Sequence, residues 1–145
     1  MNNDYPNTVL ECLQPNRKYS PAVLRAVKAF ARSKPWRGTV TERQEKFRTL
    51  NNALAAAYSV EPPNLEFGDP DADSGSSCFI PATNTIRLVG LSVVSFLHEV
   101  AHARFGASER TACIWSINLF ARIFPKSFAR CRHDGHMLRA PRSLP

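Results

Sequence analysis

Between Leu91 and Phe105 the chain runs without a proline or a glycine, and inside that stretch stands His98-Glu99-Val100-Ala101-His102. No other feature restricts the fold as much. An unbroken segment carrying Val93, Val94, Phe96, Leu97, Val100 and Ala101 reads as a largely buried helix. Residues four apart on a helix project from one face, one turn apart, so both imidazoles can grip a single ion. Glu99 lies beside the first ligand, where its carboxylate can take a proton from a water on that ion. The pattern predicts a single Zn2+ held by His98 and His102, with Glu99 as general base of a metallohydrolase. The plain alternative is a helix that merely carries two histidines.

A catalytic zinc usually has three protein ligands and a water, so a third donor is required. Glu109 is the first choice. On an uninterrupted helix it would stand about 16 Å along the axis from His98, out of reach. Gly106 removes that obstacle, because a glycine can take a left-handed turn and let the chain reverse. Ser108 is then an N-cap candidate, and Glu109 opens a helix running to about Phe124 on Ala112, Trp115, Ile117, Leu119, Phe120 and Ile123, with Pro125 as its stop. Without a metal, Glu109 would simply be a good first residue for a helix, its charge favourable at the N-terminus. Competing third donors are Cys131, His133 and His136, and one of those histidines can instead stabilise an oxyanion. As a basic, glycine-containing surface loop, that segment would have no role in the site.

The rest of the chain suggests helices ahead of a small sheet. Residues 1–20 look irregular. Pro21 can occupy the first turn of a helix to about Ser33, with Ala22, Val23, Ala26, Val27 and Phe30 on one stripe. Thr41-Glu42-Arg43-Gln44 has capping-box spacing before a helix that buries Phe47, Leu50, Leu54, Ala57 and Tyr58, ended by Pro62-Pro63. Leu65-Glu66-Phe67, Cys78-Phe79-Ile80 and Thr85-Ile86-Arg87-Leu88-Val89 are strand-like, the last two joined by a hairpin turn at Pro81-Ala82-Thr83-Asn84. The acidic residues of the loop Gly68–Ser76 (Asp69, Asp71 and Asp73) lack the spacing of a calcium loop and read as solvated. A short helix around Ser127 to Cys131 and a basic tail, residues 132–145, finish the chain. The expected fold class is α+β: a minimal zincin-like domain, residues 1–145, with helices on a small antiparallel or mixed sheet.

Composition narrows the class further. With 145 residues and 43% hydrophobic content, the chain can build one core but not two substantial ones. Nineteen Lys+Arg against 12 Asp+Glu give a formal charge of +7, concentrated in the first and last quarters. Nucleic acid is therefore a possible partner, although solvated basic faces are commoner. The four cysteines (Cys12, Cys78, Cys113 and Cys131) form no C-x-x-C pair, and no apolar run approaches membrane-spanning length. The start of the chain has neither the basic nor the apolar region of a secretory signal, so free thiols in a cytoplasmic protein without membrane contact are expected.

Residues 45–125 resemble the small gluzincin-type metallopeptidases of the ImmA/IrrE group. The resemblance is carried by the hairpin Cys78-Phe79-Ile80 and Ile86-Arg87-Leu88, then Ser95-Phe96-Leu97-His98-Glu99-Val100-Ala101-His102. It continues in Glu109-x-x-Ala112-x-x-Trp115-Ser116-x-x-Leu119-Phe120 ahead of Pro125, where that family often reads E-x-x-A-x-x-F-A-x-x-L-L and then Pro. The connection to Glu109 is shorter than is usual in the group, and residues 103–108 lack the extra histidine that some members carry there. The resemblance implies a metal-binding Glu109, a protein or peptide substrate such as a repressor-type regulator, and a regulatory protease. It also implies that an edge strand around Ile86 to Leu88 binds extended peptide by strand addition. Two rivals share these residues. One is a non-catalytic zincin-like regulatory or nucleic-acid-binding domain with a structural or vestigial metal. The other is a metallohydrolase of small amides, since water activation is common to both chemistries.

Overall fold

The computed structural model describes residues 4–72 and 75–141 and is α+β. Asp73 and Ser74 of the polar loop, Arg142 of the basic tail and the first three residues of the chain lie outside the described residues. The chain divides into two compact units: one is Lys18–Ser92, and the other joins Met1–Arg17 to Val93–Pro145.

The Lys18–Ser92 unit contains α2 (Pro21–Arg32), α3 (Val40–Ala57), β1 (Asn64–Gly68), β2 (Cys78–Ile80) and β3 (Thr85–Val89); α1 belongs to the other unit. Pro21 sits in the first turn of α2, where a missing N–H costs nothing, and the Ser20 hydroxyl accepts from Val23 N. Val23, Val27 and Phe30 recur at helical spacing and are buried, and the Phe30 ring meets Phe47 of α3 edge-on at 5.0 Å. The capping box of α3 is built from Thr39 and Glu42, two residues ahead of the expected Thr41 start. Thr39 N donates to Glu42 Oε1 and Glu42 N to Thr39 Oγ1, both at 3.1 Å. Glutamate at the third helical position makes this reciprocal pair, and Gly38 at φ 107 turns the chain into it. Asn51 and Ala55 share the buried face with Phe47, Leu50 and Leu54, whereas the expected Ala57 and Tyr58 are only partly covered. The Asn51 side chain donates to Pro63 O at 2.9 Å, fixing the entry to β1.

The sheet order is β1-β3-β2, with β1 parallel and β2 antiparallel to β3. The hairpin forms as expected, through a short 3-10 turn over Pro81–Thr83 and a left-handed Asn84. Ile86 to Leu88 is not an edge strand. Leu65 pairs with Ile86 on one side and Phe79 with Ile86 on the other, so both edges of β3 are taken and the open edges are β1 and β2. A parallel partner reached across a long loop leaves no mark in the local pattern, which shows only the hairpin.

The second unit contains α1 (Val9–Cys12), α4 (Val93–Phe105), α5 (Glu109–Ile123), α6 (Pro125–Arg130), β4 (Arg132–Asp134) and β5 (Met137–Arg139). The N-terminal segment is more ordered than an irregular lead. Thr8 caps the single turn of α1, and Val9 and Cys12 are fully buried against Cys113 and Ile117 of α5. Asn118 of α5 accepts from Gln14 N at 2.6 Å and donates to Cys12 O at 2.7 Å, so a buried amide finds its partners on this segment. One helical turn is too short to show a period, which explains why it reads as irregular. The expected basic tail is, over residues 132–139, an antiparallel hairpin with Gly135 at φ 59 in its turn and an Arg139–Asp134 contact of 3.1 Å. Val9 N bonds Gly135 O at 2.9 Å and ties α1 to that turn.

Candidate metal centre

The motif helix and the helix after it pack against each other across Gly106-Ala107-Ser108. Gly106 takes φ 103, a conformation that L side chains rarely adopt, and ends α4 with its N–H on His102 O at 3.1 Å. Ser108 Oγ then accepts from Thr111 N at 3.1 Å and caps α5, so Glu109 is the first helical residue. The reversal expected from the glycine brings Glu109 back onto the histidine pair. His98 Nε2 and His102 Nε2 stand 3.1 Å apart, His98 Nε2 is 3.5 Å from Glu109 Oε1, and His102 Nε2 touches the same carboxylate oxygen. The three side chains are 12–19% exposed, and their ligand atoms all lie within 4.8 Å of one another. Among the described residues no other group of three such side chains converges in this way.

This donor set suits a cation. The carbonyl of Gly106 lies 2.9 Å from His102 Nδ1 and can only accept, so Nδ1 carries a hydrogen and Nε2 is the nitrogen turned toward Glu109. Burial first, and then the neighbouring His102, hold His98 below its ordinary pKa of 6.5, which favours the neutral imidazole that ligation needs. Tetrahedral zinc with Zn–N bonds of about 2.0–2.1 Å places adjacent donors about 3.3 Å apart. The His98–His102 and His98–Glu109 spacings of 3.1 and 3.5 Å lie on either side of that value, whereas His102 and Glu109 are in direct contact and would have to part to admit an ion.

Each imidazole has a partner on its outer nitrogen. For His102 it is the Gly106 carbonyl; for His98 it is the Cys113 sulfur, 3.9 Å from Nδ1. Desolvation pushes the Cys113 thiol up to about 12, so it remains a neutral thiol and a weak partner. Around Glu109 the contacts come from the other end of the chain. Asp4 accepts from Ser108 Oγ at 2.6 Å and from Glu109 N at 2.8 Å. The Glu109 carboxylate, together with partial burial, holds the Tyr5 phenol above its ordinary value.

Glu99 is 7% exposed, on α4 directly after His98. None of the competing third donors belongs to the group. His136 stacks on Tyr5 with ring centroids 4.2 Å apart, His133 is exposed beside Phe128, and Cys131 is only partly buried. Asp4, Tyr5 and Cys113 were not visible as site residues in the sequence. Asp4 and Tyr5 belong to no motif, and Cys113 reads as one apolar position among many on α5. No family model, curated protein or solved structure matches this chain.

Proposed function

We propose that the protein is a zinc-dependent metallopeptidase acting on peptide bonds of a protein substrate, in line with its resemblance to the ImmA/IrrE group. The observation that carries this reading is the convergence of His98, His102 and Glu109 on one point, with the buried Glu99 next to the first histidine. His98 and His102 would bind through Nε2 and Glu109 through its carboxylate. A zinc ion held there supplies a Lewis acid for the scissile carbonyl and lowers the pKa of a water. Glu99 accepts the proton of the attacking water and passes it to the leaving amine nitrogen. A structural site has no use for a base at Glu99, and that favours hydrolysis over a purely structural metal. Free cysteines fit a cytoplasmic setting, and no helix of the described residues is long and apolar enough to cross a membrane.

The test is metal content and peptide hydrolysis of wild type, Glu109→Ala, His136→Ala and Glu99→Gln, purified identically. The expected result is near-stoichiometric zinc in the wild type, lost in Glu109→Ala and kept in the other two. Hydrolysis should fall in Glu99→Gln by about 100-fold or more. A wild type that neither holds nor takes up zinc would overturn the reading, and zinc lost with His136→Ala would move the third ligand to the hairpin.

A further inference from the structure

Residues 18–48 carry nine Lys and Arg against only Glu42 and Glu45, an excess of seven that equals the net charge of +7 of the whole chain. Both acids are engaged within α3 and its cap, since Glu42 closes the capping box with Thr39 and Glu45 lies 3.4 Å from Arg48. On α2 the exposed Arg25, Lys28 and Arg32 share the face opposite the buried Val23, Val27 and Phe30, about 4.5 and 6 Å apart along the axis. That face leads to the loop 34–38, where Trp36 is 54% exposed between the buried Pro35 and the exposed Arg37. The loop is held from α3. Lys46 Nζ donates to Lys34 O at 2.9 Å and to Arg37 O at 2.8 Å, and Arg43 Nε donates to Pro35 O at 2.8 Å. We propose that this surface binds single-stranded nucleic acid, with Trp36 stacking on a base while Arg25, Lys28, Arg32, Lys34 and Arg37 follow the phosphates.

The partner is set by the chemistry of the surface. Positive charge repeated along one helix face suits a polymer with regularly repeated negative charge rather than a single anion. An indole left in water on a fixed loop suits the face of a base, and such stacking is tolerant of sequence. In a duplex those faces are covered by neighbouring bases, whereas an unpaired strand offers them. An anionic bilayer fits less well, because it needs an apolar helix face beside the cations. The apolar face of α2 is already buried, with Phe30 against Phe47 of α3. Neither phosphate contact nor stacking touches a 2′-hydroxyl, so DNA and RNA strands are bound alike. The surface draws only on the Lys18–Ser92 unit and the metal ligands belong to the other, so this proposal does not depend on the zinc reading.

The full chain is tested with oligothymidylate and oligouridylate of about 12 nucleotides and an abasic oligomer of equal length, read by fluorescence anisotropy at about 50 mM salt. The expected result is that the two base-bearing strands bind alike and the abasic one binds more weakly. Trp36→Ala should lose about 5–100-fold on the base-bearing strands and little on the abasic one, with zinc content and Tm unchanged. Stacking also quenches indole emission, and with Trp115 only 2% exposed the quenched signal belongs to Trp36. Arg25→Gln combined with Arg32→Gln should reduce the slope of log affinity against log salt by about 1.4. Failure of the wild type to bind either strand would overturn the proposal, as would equal binding of the abasic oligomer or wild-type affinity in Trp36→Ala. Polyglutamate or phosphatidylserine vesicles bound as tightly as the strands, or a duplex bound more tightly, would overturn it too. If Trp36→Ala does not fold, the double glutamine variant carries the test, and a salt slope equal to that of the wild type overturns the proposal.

Discussion

Cys113 shows how the setting of a side chain decides its chemistry. In the sequence it is one of four dispersed thiols; in the structure it is 3% exposed, packed with Val9, Cys12 and Ile117, and its sulfur faces His98 Nδ1. Thiolate is the reactive form, and desolvation holds this thiol up to about 12. Cys78 is exposed, Cys131 is half-buried and Cys12 is fully buried. With a disulfide reagent at pH 8, Cys78 is expected to react first and Cys131 more slowly, with Cys12 and Cys113 reacting only after denaturant is added. Mass mapping of the labelled peptides checks this, and early labelling of Cys113 would contradict the placement. At this scale the sequence was legible for the grouping of His98, His102 and Glu109, which follows from helical spacing and the glycine between the helices. It was silent on Asp4, because an aspartate outside any motif gains its partners only through what folds against it.

The element that makes the site is the turn from α4 into α5, and both signals that build it are local. Gly106 supplies a positive φ, and Ser108 caps the next helix. A methyl group at Gly106 would meet no neighbour within 4 Å, so Gly106→Ala isolates the backbone conformation from packing. The expected cost is about 1–2 kcal/mol by urea denaturation, with weaker zinc binding as well, because the Gly106 carbonyl holds His102 Nδ1. An unchanged midpoint would mean that the turn relaxes without strain. The sheet teaches the opposite lesson. Its hairpin was readable from Thr85–Val89 and the Pro81–Asn84 turn, but the central place of β3 depends on β1, paired to it in parallel across the loop that contains Asp69 and Asp71.

For the whole molecule, stability depends on pH through a few identified groups. The buried His98 resists protonation below its ordinary 6.5, whereas in the unfolded chain it takes a proton near that value. Between the folded and unfolded values the unfolded state binds more protons, so metal-free stability rises with pH through this window and is lost as the pH falls below about 6.5. Hydrogen bonds hold the Asp4 and Glu42 carboxyls below their ordinary values, and the stability they contribute is present above those values and lost on further acidification. Urea midpoints of the metal-free protein from pH 8 to pH 4 should therefore decline from about 6.5 downward, and His98→Gln should remove the upper part of the slope. A wild-type profile flat to pH 5 would refute the burial of His98. Zinc at about 100 times its Kd is expected to add about 2.7 kcal/mol at neutral pH, reversed by a chelator.

What the sequence determined alone were properties that propagate over a few residues: the helical face shared by His98 and His102, the glycine reversal after them, the cap at Ser108 and the hairpin before the motif. These follow from backbone geometry and side-chain spacing, which act along the chain. Only the tertiary structure decided what lies between distant segments: β1 beside β3, α1 against α5, and the N-terminal segment that brings Asp4 to the backbone of Glu109. Those contacts form where buried surface and unsatisfied polar groups find partners far away in sequence, and no local period records them.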